Sequence, residues 1–412
     1  MKKRIALLLA LVMAFSLVAC AAEKKGGGSG KKQSGSSWWE DLPKDDDDND
    51  QDDHNDNQDN DDQDGDSNIS APSDDDVPAL ITVGTHKLSA TDFAYFYYDA
   101  IAIYKQNVYE QYYPAYGDYW SMMLDFDPEL PLDEQIYHTA SGETWQDYFK
   151  DAALSDLHLV YALYDEAVAN EYTLSPEKQD KLDNHFSDLS LYAAYFGYDD
   201  EDAYLSGIYG EGATLDSYTN YYYICTLSAS YRDYYSESLT FTQAELDAYA
   251  QTDVYYSTLP NVNLVNVRHI LALFEGYTDE DRYQALTKAE QWLQEWKDGS
   301  ATEESFAELA NQVSEDRDGN VTNGGLYEDI YPGQMVANFE NWCFDLNHKP
   351  GDTGIVETEY GYHVMYFSSY SDVTYIDLVV ESDMRLEYTE NWENTLVENT
   401  ALTVGDLSDL DL

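Results

Sequence analysis

The sequence is poor in cysteine and in basic residues, and each shortage excludes a class of protein. Three cysteines in 412 residues cannot form a disulfide scaffold, because disulfide-stapled folds are dense in cysteine. The 21 lysines and arginines stand against 81 aspartates and glutamates, which gives a formal net charge of −60. A chain this acidic is repelled by nucleic acid and by anionic lipid surfaces. We therefore expect no nucleic-acid partner.

Long apolar runs are also scarce, and the one near the N-terminus is short. It covers Ile5 to Val18, follows the basic start Met1 to Arg4, and is too short for a comfortable membrane span. This order of segments is typical of a signal peptide, which we place at residues 1–19. The run ends in Leu17-Val18-Ala19-Cys20, which resembles the bacterial lipobox and implies a lipid on Cys20 that anchors the chain to the membrane. An ordinary signal peptide with an incidental cysteine is the alternative.

Residues 20–76 have a composition that cannot form a packed core. The first part is rich in glycine, serine and lysine, and residues 45–76 contain 16 aspartates. We predict a linker that is flexible at first and is then extended by its own charge. A calcium-binding loop is the alternative. However, placing Gly65 at the invariant glycine of such a loop puts Asn60 and Ala71 where acidic ligands are needed.

Residues 77–262 have the signals of a mostly helical region. Ser89 and Asp92 have the spacing of a capping box, and Thr242 and Glu245 repeat that spacing at a later helix start. The segment 145–170 places its apolar residues at helical spacing on one face. The remaining two cysteines, Cys225 and Cys343, lie among aromatic residues and are predicted to be small buried hydrophobes.

The pattern changes to mixed strands and helices in residues 263–371. We predict strands at 262–273, 354–356 and 362–367, and helices at 278–297, 305–313 and 335–344. In the C-terminal part, residues 372–412, we predict a strand at 374–380 and a helix from Ser382 to about Asn399. The predicted class is α+β: a compact antiparallel sheet with surrounding helices, inserted after the helical region, with a C-terminal helical tail that packs back on it.

A set of landmarks between Val265 and Tyr370 resembles the parvulin family of peptidyl-prolyl isomerases, in the order in which that family has them. They are Val267-Arg268-His269-Ile270-Leu271, Phe306-Ala307-Glu308-Leu309-Ala310, Ser314-Glu315-Asp316, Gly324-Gly325, Pro332-Gly333-Gln334-Met335, Phe339, Phe344, Gly351-Asp352 and Gly361-Tyr362-His363-Val364. The lipobox and the helical flanks further resemble PrsA-like extracytoplasmic foldases, in which the flanking segments form a chaperone module.

The resemblance implies four catalytic positions. His269 and His363 match the paired histidines of the family, Asp316 matches a position that is aspartate in many bacterial members, and Thr358 matches a hydroxyl that orients the histidines. Each also has a structural interpretation: a lone strand histidine is usually a satisfied core residue, and Asp316 fits a turn before Gly319.

The resemblance also implies substrate-binding positions. Met335 and Phe339 match the apolar floor for the proline ring, although their spacing of four also suits plain core packing. Tyr360 stands where an aromatic residue usually closes the pocket. The chain departs from the family pattern after Gly324-Gly325, where Leu326-Tyr327-Glu328 replaces Asp-Leu-Gly. The sequence does not decide whether Leu326 or Tyr327 contacts the proline.

The chemistry implied by this resemblance needs neither a nucleophile nor a cofactor. The cis/trans barrier of an X–Pro bond, about 18–20 kcal/mol, comes from amide resonance, and no bond is broken when it is crossed. A metal site is not expected, because the chain has no Cys-x-x-Cys or His-x-x-x-His ligand pair. We expect an isomerase or rotamase anchored to the outer side of a Gram-positive cell membrane, acting on newly exported, proline-containing polypeptides. The alternative is a weak or inactive parvulin-like chaperone that only binds peptide.

The 39 tyrosines, many of them clustered, have two interpretations. Tyrosine combines apolar area with a polar tip, which suits an adaptable peptide-binding surface. An acidic, tyrosine-lined surface would hold unfolded cationic segments. The other interpretation is that tyrosine simply replaces phenylalanine and leucine where helices pack.

Overall fold

The structure, a computed structural model, describes residues 79–252, 255–276, 278–316, 323–408, 410 and 412. The predicted signal peptide 1–19, the lipidation site Cys20 and the whole predicted linker 20–76 lie outside the described residues, as do the first two residues of the predicted helical region. So does most of the loop between Asp316 and Gly324. Within these ranges, no helix combines the length and apolarity needed to cross a membrane.

The described residues form eleven α-helices and nine strands. The helices, numbered in chain order, are α1 (Ala90–Tyr116), α2 (Trp145–Ala169), α3 (Pro176–Phe196), α4 (Glu201–Tyr209), α5 (Leu215–Ser238), α6 (Gln243–Ala250), α7 (Tyr255–Thr258), α8 (Asp279–Asp298), α9 (Glu303–Val313), α10 (Ala337–Cys343) and α11 (Tyr375–Asn399). The strands are β1 (Ile81–Val83), β2 (His86–Leu88), β3 (Ile136–His138), β4 (Glu143–Thr144), β5 (Asn263–Leu273), β6 (Leu326–Ile330), β7 (Thr353–Glu357), β8 (Gly361–Thr374) and β9 (Leu402–Val404). All paired strands are antiparallel, so the predicted α+β class is confirmed.

The chain divides into two units, and the first is discontinuous in sequence. Unit 1 runs to Asp233 and resumes at Glu393–Leu412, whereas unit 2 is Tyr234–Trp392. In unit 1, β1 lies between β2 and β9. Register pairs Ile81 with Val404 and Val83 with Leu402, so the last strand of the chain completes the sheet that the first strand begins.

Tyrosine fills much of the core of unit 1. Six tyrosines are among its largest fully buried side chains, namely Tyr95, Tyr97, Tyr204, Tyr209, Tyr218 and Tyr222. Asp99 is buried among them and accepts hydrogen bonds from the hydroxyls of Tyr209 and Tyr221. Burial raises the pKa of Asp99 well above its ordinary value, although these two hydrogen bonds act in the opposite direction. Core packing is therefore the role of many tyrosines in this unit.

Unit 2 is built on a four-stranded sheet in the order β6-β5-β8-β7. The two faces of the sheet have separate apolar cores. Ile270 and Val364 face α8 and α9, where they pack with Phe306. Val267 and Met365 face the other way and pack with residues of α10 and with Ile330. Because side chains alternate along a strand, this second face also receives His269 and His363.

The C-terminal helix packs back within unit 2, as predicted. Ile376, Val380 and Met384 of α11 are buried against Leu246 and Ala250 of α6. The two free cysteines are buried, one in each unit, which confirms their predicted role as small hydrophobes.

Two predictions of local structure are wrong. Residues 374–380 are not a strand, because α11 already begins at Tyr375 and Ser382 lies in its interior. The Thr374 hydroxyl donates to Asp377 Oδ2 at 2.7 Å, and the Asp377 N–H donates back to Thr374 Oγ1 at 3.1 Å. This capping pair overrides the strand preference of Ile376 and Val380, whose spacing of four places both on the buried face of the helix.

The second error is that six strands were not predicted: β6 in unit 2, and the short strands β1 to β4 and β9 in unit 1. Strand β6 contains Glu328 and Asp329, residue types that are depleted in strands. It forms because it pairs with β5 across about sixty positions of the chain. Most of the other predicted elements are confirmed with ends shifted by one or two residues, except that β8 continues to Thr374.

The two candidate helix starts can be separated by substitution. We expect Thr374→Ala to lower the free energy of opening of the first turn of α11 by about 1 kcal/mol, because it removes the capping hydroxyl. Ser382→Ala removes the same group from an exposed interior position, where alanine is the better helix former, and should leave stability unchanged or slightly raised. Hydrogen–deuterium exchange of residues 375–384 measures both. Equal effects of the two substitutions would contradict this helix start.

Candidate active site

The two histidines predicted from sequence meet on one face of the sheet of unit 2. His269 lies on β5 opposite Met365, and His363 lies on β8 opposite Leu271. They are therefore diagonal neighbours, and side chains at this spacing can touch across a strand pair. The distance between their Nδ1 atoms is 3.1 Å. Both side chains are buried, so this hydrogen bond is shielded from water.

A buried threonine holds the outer end of the histidine pair. Thr358 Oγ1 lies 2.8 Å from His363 Nε2 and accepts a hydrogen bond from the backbone N–H of Tyr360 at 3.2 Å. Thr358 lies in the connection between β7 and β8, and its N–H donates to the carbonyl of Gly361. Gly361 lies close against β5, because a Cβ on it would lie 2.0 Å from the carbonyl oxygen of Ala272.

Asp316 contacts His269 at the other end of the histidine pair. The segment that contains Asp316 is hydrogen-bonded to strand β5. The Leu271 N–H donates to Ser314 Oγ at 3.1 Å, and the Leu273 N–H donates to Glu315 Oε2 at 2.8 Å. The Glu315 N–H donates to the Leu271 carbonyl at 2.9 Å. These bonds place Asp316 Oδ2 3.1 Å from His269 Nε2, with both groups buried. Ser314 and Glu315 are positioning residues that the sequence reasoning did not single out, although they adjoin Asp316 in its motif.

The two glycines before β6 allow the chain to come close to His269. The His269 N–H donates to the Gly325 carbonyl at 2.9 Å. Gly325 has a φ of +66°, and a Cβ there would lie 2.2 Å from the carbonyl oxygen of His269. No other residue fits this position without moving β5 or the loop.

Register then decides which residue of β6 faces the histidines. Tyr327 pairs with Val267 and shares its face, whereas Leu326 pairs with Arg268 and lies on the opposite face. The Tyr327 hydroxyl donates to Asp316 Oδ2 at 3.1 Å, and the Tyr327 ring centroid lies 4.8 Å from that of His269. Of the two candidates for proline contact, the structure brings Tyr327 to the site and not Leu326.

Aromatic and apolar side chains pack against the histidine pair and form what we call the aromatic floor of the site. The ring of Phe339, on α10, meets His269 and His363 nearly edge-on, with centroids 5.4 Å and 5.3 Å away. Met335 is half-buried and packs with the same apolar cluster. Tyr360 is 55 % exposed and reaches the site through its backbone bond to Thr358. The structure thus brings every predicted site residue of this domain to one place except Leu326.

An open cavity of about 380 Å³ adjoins Thr358 and contains residues that the sequence analysis missed. It is lined by Arg282, Val336, Ala337, Asn338, Glu357 and Glu359. Arg282 Nη1 lies 2.5 Å from Glu357 Oε1, and Asn338 Nδ2 donates to the Glu357 carbonyl at 2.8 Å. No sequence signal connects Arg282 with Glu357, because they are 75 positions apart.

Comparison with known protein families agrees with this geometry. Residues 269–369 match the family model of the rotamase, or PPIC-type PPIase, domain. The chain contains a PPIC-type isomerase domain. The match begins at His269 and ends beyond His363, so it includes both histidines and Asp316.

Known relatives carry the name foldase. The chain is 38 % identical over 112 residues to foldase protein PrsA 1 of Listeria innocua, which is 27 % of this chain and 32 % of that protein. It is 27 % identical over 237 residues to foldase protein PrsA 2 of Listeria monocytogenes, which is 56 % of this chain and 67 % of the relative. The chain spans about a third of the first of these relatives.

A solved structure, PrsA from Bacillus subtilis, also aligns. The alignment covers 65 % of this chain and 90 % of the other at 20 % identity, with a TM-score of 0.30. A TM-score at this level is too low to support an argument.

The contacts of the site form one continuous series. Thr358 Oγ1 lies 2.8 Å from His363 Nε2, the two histidine Nδ1 atoms are 3.1 Å apart, and His269 Nε2 lies 3.1 Å from Asp316 Oδ2. A neutral His363 donates from one ring nitrogen and accepts at the other. Asp316 also accepts a hydrogen bond from the Tyr327 hydroxyl.

Burial is the main reason that His363 stays neutral. It lowers the pKa of this imidazole to about 3, with a further lowering from His269 and an opposing effect of Asp316. Within the described residues, no group of three or more His, Cys, Asp or Glu side chains converges on a point where it could hold a metal ion.

The neutral state of His363 can be measured directly. We expect its imidazole nitrogens to remain in the neutral form from pH 7.5 to about pH 4.5 in NMR spectra of the full chain, with the signal assigned by its loss in His363→Gln. Because the pKa of His363 is lower in the folded than in the unfolded chain, protonation favours the unfolded state. His363 should therefore lower the free energy of unfolding as the pH falls from about 6.5 towards 3. Titration of His363 with a midpoint near 6.5 would contradict this assignment.

Proposed function

We propose that this chain is an extracytoplasmic foldase that catalyses the cis–trans isomerisation of X–Pro bonds in newly exported polypeptides. The proposal rests on one observation. The side chains of Thr358, His363, His269 and Asp316 form a buried hydrogen-bonded series, and aromatic side chains pack against it. In this proposal the predicted segments are a signal peptide at 1–19, a linker at 20–76, a helical region at 77–262, the isomerase domain at 263–371 and a C-terminal part at 372–412.

The apolar side of the site suits a proline ring. Phe339, Met335 and Tyr327 belong to one cluster on the histidine face, and the Tyr327 and Phe339 ring centroids are 6.3 Å apart. A proline ring packed there would be removed from water, which contributes about 25 cal/mol for each Å² of apolar surface. Tyr360, exposed next to Thr358, is in a position to cover the bound ring.

The polar side of the site suits a twisted amide. Amide resonance places negative charge on the carbonyl oxygen and gives the C–N bond its double-bond character. The charge of Asp316, held in place by His269 and Tyr327, disfavours that resonance form when the prolyl carbonyl lies close to it. His363, kept neutral by burial, adds no compensating positive charge next to this group. Preorganised groups of this kind stabilise a transition state without reorganising during the reaction.

This proposal is tested by NMR exchange on a short X–Pro peptide with the full-length chain. We expect wild type to accelerate exchange. Asp316→Asn, which keeps the shape and removes the charge, should lower kcat/KM about tenfold or more, equivalent to about 1.4 kcal/mol or more in the barrier. Met335→Ala should mainly raise KM, because it removes floor area. Tyr283→Phe, at an exposed position on α8, is the matched control and should behave as wild type.

Three outcomes separate the alternatives. No acceleration by a folded wild type, together with binding of the peptide, would support the peptide-binding chaperone instead of the enzyme. No acceleration and no binding would reject both. Full activity in Asp316→Asn and Met335→Ala would show that the site is assigned to the wrong residues.

We further propose that a lipid on Cys20 holds the chain on the outer face of the cell membrane and that unit 1 holds unfolded clients. The apolar run before the Leu-Val-Ala-Cys motif supports the anchor, and the name foldase carried by the relatives supports a role in folding other polypeptides. The position of the anchor would keep the isomerase domain close to the point where exported chains emerge.

The anchor is tested by metabolic labelling with a radioactive fatty acid in a bacterial host that expresses the full-length chain. Label should be incorporated by wild type and by Cys225→Ala, and should be absent from Cys20→Ala. Labelling that persists in Cys20→Ala would place the lipid elsewhere, and an unlabelled wild type would reject the anchor.

A further inference from the structure

An exposed aromatic surface stands at the end of α1 in unit 1, in contrast to the buried tyrosines of that unit. It consists of Tyr109, Tyr113, Tyr116, Tyr119, Trp120 and Met122, on the last turns of α1 and the 3₁₀ helix Gly117–Met123 that follows. Tyr119 is 70 % exposed and Met122 is 75 % exposed. Contiguous apolar side chains at this exposure mark interaction sites on folded proteins.

Three rings of the aromatic surface contact one another. Tyr109 stacks on Tyr113 with centroids 4.6 Å apart, and Trp120 meets Tyr109 edge-on at 5.3 Å. These three rings are therefore ordered before a partner binds. Such preorganisation reduces the entropy that binding has to overcome.

The stretch of sequence that contains the aromatic surface is strongly acidic. Between Lys105 and Lys150 the sequence has no lysine or arginine, and it has nine aspartates and glutamates: Glu110, Asp118, Asp125, Asp127, Glu129, Asp133, Glu134, Glu143 and Asp147. An anionic lipid surface or a second copy of this acidic chain would be repelled. A cationic partner would be attracted, and its ammonium or guanidinium groups would find aromatic faces.

One cation–π contact already exists in this part of unit 1. Lys105 Nζ lies 5.8 Å from the centroid of the Phe126 ring. Phe126 follows Asp125 and precedes Asp127 in the sequence, and Asp125 accepts a hydrogen bond from Tyr104 at 2.8 Å. A cationic side chain and an aromatic face thus contact each other next to acidic residues of the sequence.

We propose that the aromatic surface binds unfolded, lysine- or arginine-containing segments of client polypeptides. The proposal rests on the holding function proposed for unit 1 and specifies its surface and its class of partner. The aromatic faces contact the cationic groups and their apolar stems, while the surrounding carboxylates set the sign of charge that is accepted. Because the interaction needs no proline, it is separate from the isomerase site.

The test is fluorescence anisotropy with the full-length chain and a proline-free, unfolded peptide of about fifteen residues that contains four arginines. A twin peptide carries glutamine at those four positions. We expect the arginine peptide to bind at least tenfold more tightly and to weaken as salt is raised. Tyr116→Ala/Tyr119→Ala should weaken binding of the arginine peptide about 5- to 30-fold, the loss expected for two exposed cation–π contacts.

Two further variants test whether binding depends on the aromatic faces themselves or only on exposed apolar area. Tyr116→Leu/Tyr119→Leu keeps apolar area but removes the aromatic faces, so it should weaken the arginine peptide and leave the glutamine peptide unchanged. Tyr195→Ala, at an 81 % exposed position on α3, is the matched control and should bind both peptides as wild type does. Circular dichroism confirms that each variant is folded.

The outcomes distinguish failure of the proposed aromatic binding surface from failure of the holding function proposed for unit 1. Equal binding of the two peptides, or equal binding by wild type and the Tyr116/Tyr119 variants, would overturn the proposal. So would a dimer, detected by sedimentation, that those variants dissociate, because the surface would then join two copies. Failure of wild type to suppress aggregation of an unfolded, proline-free client would instead reject the holding function. Suppression that is equal in wild type and both double variants would reject only this surface.

Discussion

The antiparallel pairing of β5 with β8 is the constraint on which the site in unit 2 depends. It sets His269 and His363 diagonal to each other, and the polar groups that touch them lie on segments hydrogen-bonded to these two strands. A slip of one residue would turn one histidine to the opposite face of the sheet. Gly361 helps to prevent this, because its backbone approaches Ala272 so closely that a side chain would clash. Register is therefore as much a part of the site as the side chains are.

The carboxylates of this acidic chain need hydrogen-bond donors from residues other than lysine and arginine. With so few lysines and arginines, tyrosine hydroxyls take over part of that task in both units. Asp99 is held by tyrosines in the core of unit 1, and Asp316 by Tyr327 in the isomerase domain. The other pairs are Tyr104 with Asp125, Tyr249 with Glu387 and Tyr255 with Asp383. A tyrosine hydroxyl donates a hydrogen bond to a carboxylate without adding a positive charge.

The sequence predicted best those features that are encoded by residues close together in the chain. The order of short motifs was enough to predict the fold class and to select His269, His363 and Asp316, which the structure brings together, whereas their catalytic roles remain proposals. The choice between Leu326 and Tyr327 needed the register of β6, which is set by a distant strand. The start of α11 was mispredicted, because a hydroxyl cap and packing against α6 outweigh the strand preference of its first residues. The cavity residues and the partner of β1 depend on contacts between distant parts of the chain, which no local pattern encodes.

The pairing of β1 with β9 has a consequence for how the protein is made. Ribosomes synthesise a chain from its N-terminus, so β1 exists for more than 300 residues of synthesis before its partner β9 appears. Until then one edge of β1 has no native strand to pair with, and an open strand edge is a site for association with other chains. The late-made strand β9 is therefore the one that completes the pairing of the early-made strand β1. A protein shortened by its final dozen residues would lose the cover of its earliest strand while its isomerase domain stayed complete in sequence.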